Sequence, residues 1–274
     1  MWSIMNKAIF IDLDGTLLND NYQISHFDLK ALRKIGQANY KVYLITGKSI
    51  HHAIKFYNLL QLKTWLITSA GQVISKGDQV VWQKILDYTV VIKLLNEQKN
   101  KDIILDFIIQ TKNTIYASNL NSSIIKLFYE QGVKIKQYRA DDLIDNPVGL
   151  YLNLKINSRL NRWKLMQEFN DKWKKWFNFH PWEMMSNIFI VHVVPTEISK
   201  WSAIEIIKKW DDLQYIVAVG NGRNDIPILK NSDLSIAMKN ATNEVKFFAN
   251  QVTEFDNNNS GVGKTLLSLL NISL

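Results

Sequence analysis

The chain has 274 residues, of which 47% are hydrophobic and 21% are charged, and its net charge is +8. These values are typical of a globular protein with one or two sizeable cores, and they exclude a disordered or fibrous chain. The absence of cysteine excludes disulfides, thiolate metal sites and cysteine nucleophiles, and no apolar run approaches the roughly 18 residues of a membrane span.

Residues 1–82 alternate short apolar segments with helical segments, which indicates βαβ units and a parallel sheet. The predicted strands are a first one from Lys7 to Asp12, then 42–45 and 65–67, and a hairpin of 72–75 and 80–83. Helices are predicted at 25–39, where Ser25-His26-Phe27-Asp28 resembles a capping box, and at 49–60. The segment 17–24 between the first strand and the first helix is loop-like.

Residues 83–194 show a different order of predicted elements, because their helical segments are separated by paired strand candidates. We therefore expect an α+β domain with an antiparallel sheet. Helices are predicted at 87–98, 122–131 and 158–176, and strands at 103–109, 114–117, 150–155 and 188–194. Four tryptophans of this block are expected to pack in the core or between helices, not to stack on a ligand; they are Trp163, Trp173, Trp176 and Trp182.

Residues 195–274 return to the alternation of the first block. The predicted elements are a helix at 199–210, a strand at 215–219, a short helix after the loop 220–225, a strand at 234–236, and helices near 242–249 and 264–270. The sequence therefore predicts a discontinuous α/β core domain, 1–82 with 195–274, into which a second domain of residues 83–194 is inserted.

Two carboxylates follow the first predicted strand, in Phe10-Ile11-Asp12-Leu13-Asp14-Gly15-Thr16. Side chains two residues apart in a strand point to the same side, so Asp12 and Asp14 are expected to meet at the carboxyl end of a buried strand. Open α/β sheets place their active sites at this edge. Like charges so close need a cation or a shared proton, which favours an active site over a plain Asp-Gly turn.

Three further polar motifs follow predicted strands or begin a predicted helix. Thr46-Gly47 follows the apolar run 42–45, Lys200 opens the helix at 199–210, and Gly220-Asn221-Gly222-Arg223-Asn224-Asp225 follows the strand at 215–219. In this order, with Asp-x-Asp-Gly-Thr first, the chain resembles the haloacid dehalogenase-like (HAD) hydrolases. It is most similar to the Cof-type phosphatases, which carry a large cap domain between the second and third motifs.

The resemblance implies a Rossmann-like HAD core with an inserted α+β cap, and it assigns chemistry to individual residues. Asp12 would be the nucleophile that forms an aspartyl-phosphate, and Asp14 would be the general acid and base. Lys200 would neutralise developing charge, and Thr46 would hydrogen-bond the phosphoryl group.

The same resemblance implies a Mg²⁺ cofactor and a set of further binding residues. The metal would be held by a side-chain oxygen of Asp12, by the backbone carbonyl of Asp14 and by the loop that contains Asn221 and Asp225. Phosphate or substrate would contact Leu13, Gly47 and Asn224 in addition to Thr46 and Lys200.

Three positions depart from the pattern of the family. Asn221 stands where an Asp is usual, which predicts weaker metal binding because a neutral amide replaces a carboxylate. Lys48 stands where Arg is common, so a compact ammonium, in effect a point charge, replaces a planar guanidinium that can donate two parallel hydrogen bonds. Ser69-Ala70-Gly71 replaces the frequent Asn-Gly-Ala.

These features predict a Mg²⁺-dependent phosphatase of small phosphorylated metabolites. Sugar phosphates are the leading substrate class, with flavin mononucleotide or pyridoxal phosphate as further candidates. The alternatives are a phosphomutase of similar cap type and a catalytically weakened metabolite-binding protein. Because the positive charge is mostly lysine spread along helices, and the N-terminus lacks a signal-peptide pattern, we expect a cytoplasmic monomer or weak homodimer without nucleic-acid or membrane partners.

Overall fold

The structure is a computed structural model of the chain. It describes residues 6–99, 103–111, 114–126, 128, 134–142, 144, 147–155, 159–185 and 188–274. These residues form two compact units, one comprising the described residues through Trp82 together with Ser199–Leu274, the other Gln83–Ile198. The sequence placed the return to the first unit at residue 195; it lies at Ser199 because Thr196 N still donates to Trp176 O of the second unit.

Helices and strands occur in both units. The helices are α1 (His26–Gln37), α2 (Ile50–Leu59), α3 (Tyr88–Lys99), α4 (Ser123–Lys126), α5 (Arg159–Trp173), α6 (Lys200–Trp210), α7 (Ile226–Asn231), α8 (Asn243–Lys246) and α9 (Gly261–Leu270). The strands are β1 (Lys7–Ile11), β2 (Lys41–Ile45), β3 (Leu66–Thr68), β4 (Val73–Lys76), β5 (Gln79–Gln83), β6 (Ile104–Gln110), β7 (Thr114–Ala117), β8 (Lys134–Gln137), β9 (Gly149–Leu154), β10 (Phe177–Met185), β11 (Ile188–Pro195), β12 (Tyr215–Gly220), β13 (Leu234–Ala237) and β14 (Gln251–Val252).

The first unit is built on an eight-stranded sheet of order β14-β13-β12-β1-β2-β3-β4-β5. The strands from β14 to β3 run parallel, and β4 is antiparallel to β3. Alternate side chains of β1 face opposite layers, since Ile9 packs with α1 and α9 while Phe10 packs with α6. Burial on both faces explains why the strands are continuous apolar runs, and the predicted Rossmann-like parallel sheet is confirmed.

The second unit contains a six-stranded sheet of order β10-β11-β9-β6-β7-β8. Neighbouring strands are antiparallel, as predicted, except that β7 and β8 are parallel. Trp173 is 2% exposed in the cluster that α3 and α5 form with this sheet, whereas Trp163 is 47% exposed. The interpretation of this unit as a cap stays a prediction.

The sequence missed three strands and misplaced the ends of four helices. The strands β8, β10 and β14 were not predicted. Of the helix expected at 122–131, the structure shows α4, while positions 127 and 129–131 lie outside the described residues. Helix α8 ends at Lys246 instead of near residue 249. Helix α5 ends at Trp173 instead of residue 176, and α9 begins at Gly261 instead of near residue 264. Across the described ranges, none of the helices combines the length and apolar character needed to cross a bilayer.

Candidate active site

The predicted site residues lie at the carboxyl edge of the first sheet. Asp12 directly follows β1, and its N–H donates to Val219 O of β12 at 3.0 Å. Thr46 directly follows β2, and its N–H donates to Ile67 O of β3 at 3.0 Å. Because these strands are adjacent and parallel, their ends bring together residues that are far apart in sequence.

A buried ion triad forms the centre of the site. Lys200 Nζ lies 2.6 Å from Asp12 Oδ1 and 2.6 Å from Asp225 Oδ1. The side chains of Lys200 and Asp225 are 0% exposed and that of Asp12 is 6% exposed. Burial alone would lower the pKa of Lys200, but the charges of Asp12 and Asp225 raise it above its usual value. Lys200 is therefore an ammonium that two buried carboxylates share.

The carboxyl group of Asp12 has a perturbed pKa. Burial raises the pKa of Asp12 to about 7, the charges of Asp225 and Asp14 add to the rise, and the Lys200 ammonium opposes it. Two carboxylates for one ammonium leave an excess of negative charge at the site. A cation or a proton would relieve this excess, and buried clusters of ionisable groups of this kind are typical of functional sites.

Asp225 organises the loop that follows β12. Its Oδ2 accepts hydrogen bonds from Asn221 N and Gly222 N, both at 2.9 Å, while Oδ1 pairs with Lys200. A side chain at Gly220 would bring its Cβ within 2.5 Å of the Asp225 carboxyl carbon. Both carboxylate oxygens of Asp225 are thus engaged with the protein, and its assignment as a direct metal ligand stays a prediction.

Asn221 is held by a residue whose role the sequence did not reveal. Thr16 Oγ1 donates to Asn221 Oδ1 at 2.9 Å. Gly15 precedes Thr16 with φ +67°, and a Cβ there would come within 2.4 Å of Asn221 Nδ2. The Gly-Thr pair after Asp14 therefore both turns the chain and seats the Asn221 side chain. The position of Thr16 at the end of the Asp-x-Asp-Gly-Thr run was the only sign in the sequence that it belongs to the site.

Asp14 faces a different environment from Asp12. Its side chain is 42% exposed and forms an ion pair with Lys48, with Oδ1 and Nζ 2.9 Å apart. The Lys48 ammonium also lies 5.3 Å from the ring centroid of Tyr22, in the segment predicted as a loop between β1 and α1. One carboxylate is therefore buried beside Lys200 and the other is partly exposed, an arrangement that suits different chemical roles. Lys48 was noted in the sequence as a departure from the family pattern, but its pairing with Asp14 was not predicted.

The remaining predicted residues surround the end of β2. Thr46 is fully buried, and its Oγ1 accepts a hydrogen bond from Lys48 N at 3.1 Å. Gly47 adjoins Asn224, since a Cβ at Gly47 would lie 3.7 Å from Asn224 Nδ2. Leu13 has a side chain that is 0% exposed and packed in the core. A phosphate contact from Leu13 would therefore have to come from its backbone.

The oxygen atoms at this edge fit a hard divalent cation. In the described part of the chain, no three His, Cys, Asp or Glu side chains converge as a metal cluster. The oxygens that the resemblance predicts as ligands are the Asp12 carboxylate, the Asp14 backbone carbonyl and the Asn221 amide oxygen, which also accepts from Thr16 Oγ1. Mg²⁺ is commonly bound by one or two carboxylates and completes its shell with water and phosphate, so this oxygen set suits it.

Comparison with known proteins identifies one family across nearly the whole chain. The haloacid dehalogenase-like hydrolase family matches residues 9–266. A curated relative from Bacillus subtilis, 5-amino-6-(5-phospho-D-ribitylamino)uracil phosphatase, is 26% identical over 262 residues, covering 95% of this chain and 94% of the relative. A second protein of that organism, named phosphatase YwpJ, is 24% identical over 291 residues and covers 96% of this chain and 100% of its own.

Solved structures share the fold at low sequence identity. A haloacid dehalogenase-like hydrolase from Bacteroides thetaiotaomicron superposes with a TM-score of 0.78 at 19% identity, covering 96% of this chain and 99% of its own. A sugar phosphatase of HAD subclass IIB has the same TM-score of 0.78 at 18% identity, with coverages of 97% and 100%. The predicted fold class, an α/β HAD core with a large insertion, is thereby confirmed.

Proposed function

Because this chain belongs to the haloacid dehalogenase-like hydrolases, we propose that it is a Mg²⁺-dependent phosphatase of small phosphorylated metabolites that works through an aspartyl-phosphate. The relatives named as phosphatases support phosphoric monoester hydrolysis as its class of reaction. The observation that carries the residue assignments is the contact of the buried Asp12 with Lys200 at the carboxyl end of β1.

The geometry supports Asp12 as the nucleophile. Lys200 holds Oδ1 of Asp12 at 2.6 Å, which leaves Oδ2 as the oxygen that attacks phosphorus. Lys200 favours the ionised form of the carboxylate against the effect of burial, and it would also neutralise charge on the phosphoryl group. Thr46 and Gly47, at the end of the adjacent strand β2, would hold the phosphoryl oxygens.

We assign the proton transfers to Asp14, whose side chain is partly exposed to water. In the first step, a bond forms between Asp12 Oδ2 and phosphorus, the bond from phosphorus to the ester oxygen breaks, and Asp14 protonates the leaving alkoxide. In the second step, Asp14 takes a proton from water, which attacks phosphorus and releases inorganic phosphate and the Asp12 carboxylate. Lys48 is placed to orient Asp14 in both steps.

Asp12, the Asp14 carbonyl and Asn221 would hold Mg²⁺, with Asp225 fixing the loop that carries Asn221. When bound, the cation would neutralise the phosphate dianion and favour in-line displacement. The chain's own residues set the charge of this site, since they present two buried carboxylates to one ammonium.

Sugar phosphates are the substrate class that we propose first, ahead of flavin mononucleotide and pyridoxal phosphate. A structural neighbour is a sugar phosphatase, and a curated relative is named for a phosphorylated ribityl compound. The net charge of +8 favours the approach of anionic metabolites. We assign the recognition of the leaving group to residues 83–198, the unit that we interpret as the cap.

The test is phosphate release from a panel that contains sugar phosphates, flavin mononucleotide and pyridoxal phosphate, with Mg²⁺ and with excess chelator. We expect the highest kcat/KM for a sugar phosphate and loss of release in the chelator. Absence of release from every compound would contradict the proposal. Isomerisation of a sugar phosphate without net phosphate release, dependent on a bisphosphorylated activator, would identify a phosphomutase instead.

Replacing Asn221 with Asp should strengthen metal binding. An Asp at this position keeps an oxygen to accept from Thr16 Oγ1 and adds a negative charge. We expect the Mg²⁺ concentration for half-maximal activity to fall about tenfold, roughly 1.4 kcal/mol, because Asp12 and Asp225 repel a third anion and limit the gain.

The measurement is a Mg²⁺ titration of activity at fixed pH and ionic strength. Asn58→Asp, on the exposed side of α2, is the control for the added charge and should leave the titration unchanged. A midpoint equal to that of the original protein would mean that Asn221 lies away from the metal. A raised midpoint would mean that the loop requires the amide.

A further inference from the structure

Three consecutive residues between β3 and β4 adopt left-handed backbone conformations. The φ angles are 50° at Ser69, 58° at Ala70 and 103° at Gly71. Only the third of them is glycine, and left-handed conformations are unfavourable for residues with a Cβ. Such a turn persists only where its surroundings fix it. We call residues 69–71 the left-handed turn.

The left-handed turn is hydrogen-bonded to the segment that follows β2. Ser69 N donates to Lys48 O at 2.8 Å, and Ala70 N donates to Thr46 O at 2.9 Å. Ser69 and Ala70 are 4% and 3% exposed, so these bonds are shielded from water. The turn therefore takes its position from the residues that we assign to phosphoryl binding and to the orientation of Asp14.

The other side of the left-handed turn lies against the start of α6. A Cβ at Gly71 would come within 2.2 Å of Ser199 O, 2.7 Å of Ser199 C and 3.2 Å of Lys200 N. These atoms are backbone, so a side-chain rotation cannot relieve the overlap. Ser199 is itself fixed by a reciprocal capping box with Ser202. Only glycine at position 71 permits this approach.

We propose that the left-handed turn is a positioning element that joins the Thr46 segment to the N-terminus of α6, and that Gly71 thereby sets the location of Lys200. This inference rests on the proposed function, in which Lys200 acts on Asp12. The buried Lys200 ammonium contacts two carboxylates at 2.6 Å, so a displacement of its helix would strain both contacts. Gly71 touches no reacting atom and acts only through Lys200.

The experiment compares two glycine substitutions in the full-length protein. Gly71→Ala must displace Ser199 by about 1 Å, and a misplacement of that size in an active site costs roughly 100-fold in rate. We therefore expect kcat for the best panel substrate to fall about 100-fold. Gly77→Ala is the matched control, because Gly77 has φ +61° and no atom lies within 4 Å of the position that a Cβ would take. Like Gly71→Ala it places a Cβ on a residue of positive φ, but without a steric overlap, and it should leave kcat within about twofold.

A double-mutant cycle with Lys200→Ala separates positioning from general structural damage. If Gly71 acts through Lys200, Gly71→Ala should lower kcat by less than about twofold in the Lys200→Ala background. A full loss in both backgrounds, or an unchanged kcat for Gly71→Ala alone, would overturn the inference. An unchanged kcat for Lys200→Ala alone would instead overturn the proposed role of Lys200.

A second variant covers the case in which Gly71→Ala does not fold. Ala70→Gly keeps the left-handed conformation at φ 58° but removes its cost, because glycine has no Cβ, and the backbone bond to Thr46 O remains. The combination of Ala70→Gly with Gly71→Ala offsets the strain but keeps the overlap with Ser199. We expect a folded protein with the same loss in kcat of about 100-fold. A folded double variant with the original kcat would contradict the inference.

Discussion

Asp12→Asn is expected to lower kcat by about 10³-fold or more, because an amide cannot form the acyl phosphate. The variant should remain folded, since Asn is close in shape to Asp and Lys200 keeps its 2.6 Å contact with Asp225. The removal of one of two buried carboxylates that share an ammonium also relieves repulsion. Hydrolysis of the best substrate and the free energy of unfolding in urea are the two measurements.

The matched control for Asp12→Asn is Asp78→Asn. Asp78 is exposed in the turn between β4 and β5, so its substitution makes the same change in net charge away from the site. Its kcat should equal that of the original protein. A folded Asp12→Asn protein that hydrolyses the substrate at nearly the original rate would rule out Asp12 as the nucleophile.

Lys200→Met is expected to impair both activity and stability. Removing the ammonium leaves Asp12 and Asp225 buried without a counter-charge, and breaking a buried pair in this way costs about 3–5 kcal/mol of the free energy of unfolding. The loss of one charged donor to the reacting group should lower kcat by about 10²–10³-fold. The stability deficit should shrink as the pH falls, because protonated carboxyl groups need no counter-charge.

Lys84→Met is the control for the loss of a lysine ion pair. Lys84 Nζ lies 2.7 Å from Glu197 Oε1, but the two side chains are 46% and 52% exposed. A solvated pair contributes at most about 1 kcal/mol, so the unfolding free energy of this variant should change little. Equal destabilisation by the two substitutions would mean that burial does not determine how much the Lys200 ion triad contributes to the free energy of unfolding.

The parallel core could be predicted because burial on both faces imposes a simple pattern. Apolar runs such as Ile9–Ile11 and 42–45 fill the sheet, and each is followed by a polar residue at its carboxyl end. Strand ends therefore predicted the positions of Asp12 and Thr46 at one sheet edge, and the helix start at Ser199 predicted the position of Lys200, which contacts Asp12.

Strands without that pattern were missed. Strand β8 has the sequence Lys-Ile-Lys-Gln and lies at a sheet edge, and β14 has only two residues. Strand β10 follows closely on α5 and contains a register shift between Pro181 and Glu183. This shift interrupts the alternation of apolar and polar residues by which a strand is predicted. Such strands are defined by the partner to which they bind more than by their own composition.

Side-chain partners in the site could not be predicted from local sequence. The pairing of Asn221 with Thr16 spans 205 positions, and the contact of Gly71 with Ser199 joins loops from different parts of the chain. Asp225 contacts Lys200 through one carboxylate oxygen and two backbone N–H groups of its own loop through the other, and this division depends on the path of the loop. Sequence motifs identify the residue types at an active site, whereas the tertiary fold decides which atoms they leave available for chemistry.

The most direct test of the central claim is acid-quench trapping of the phosphorylated enzyme. The protein is mixed for milliseconds with a sugar phosphate labelled at phosphorus, denatured in acid and digested, and the labelled peptide is identified. We predict an acid-stable, alkali-labile acyl phosphate on Asp12 that is absent from Asp12→Asn and that chases to inorganic phosphate. Steady release of phosphate by the original protein with no label on Asp12 at any time would contradict the account.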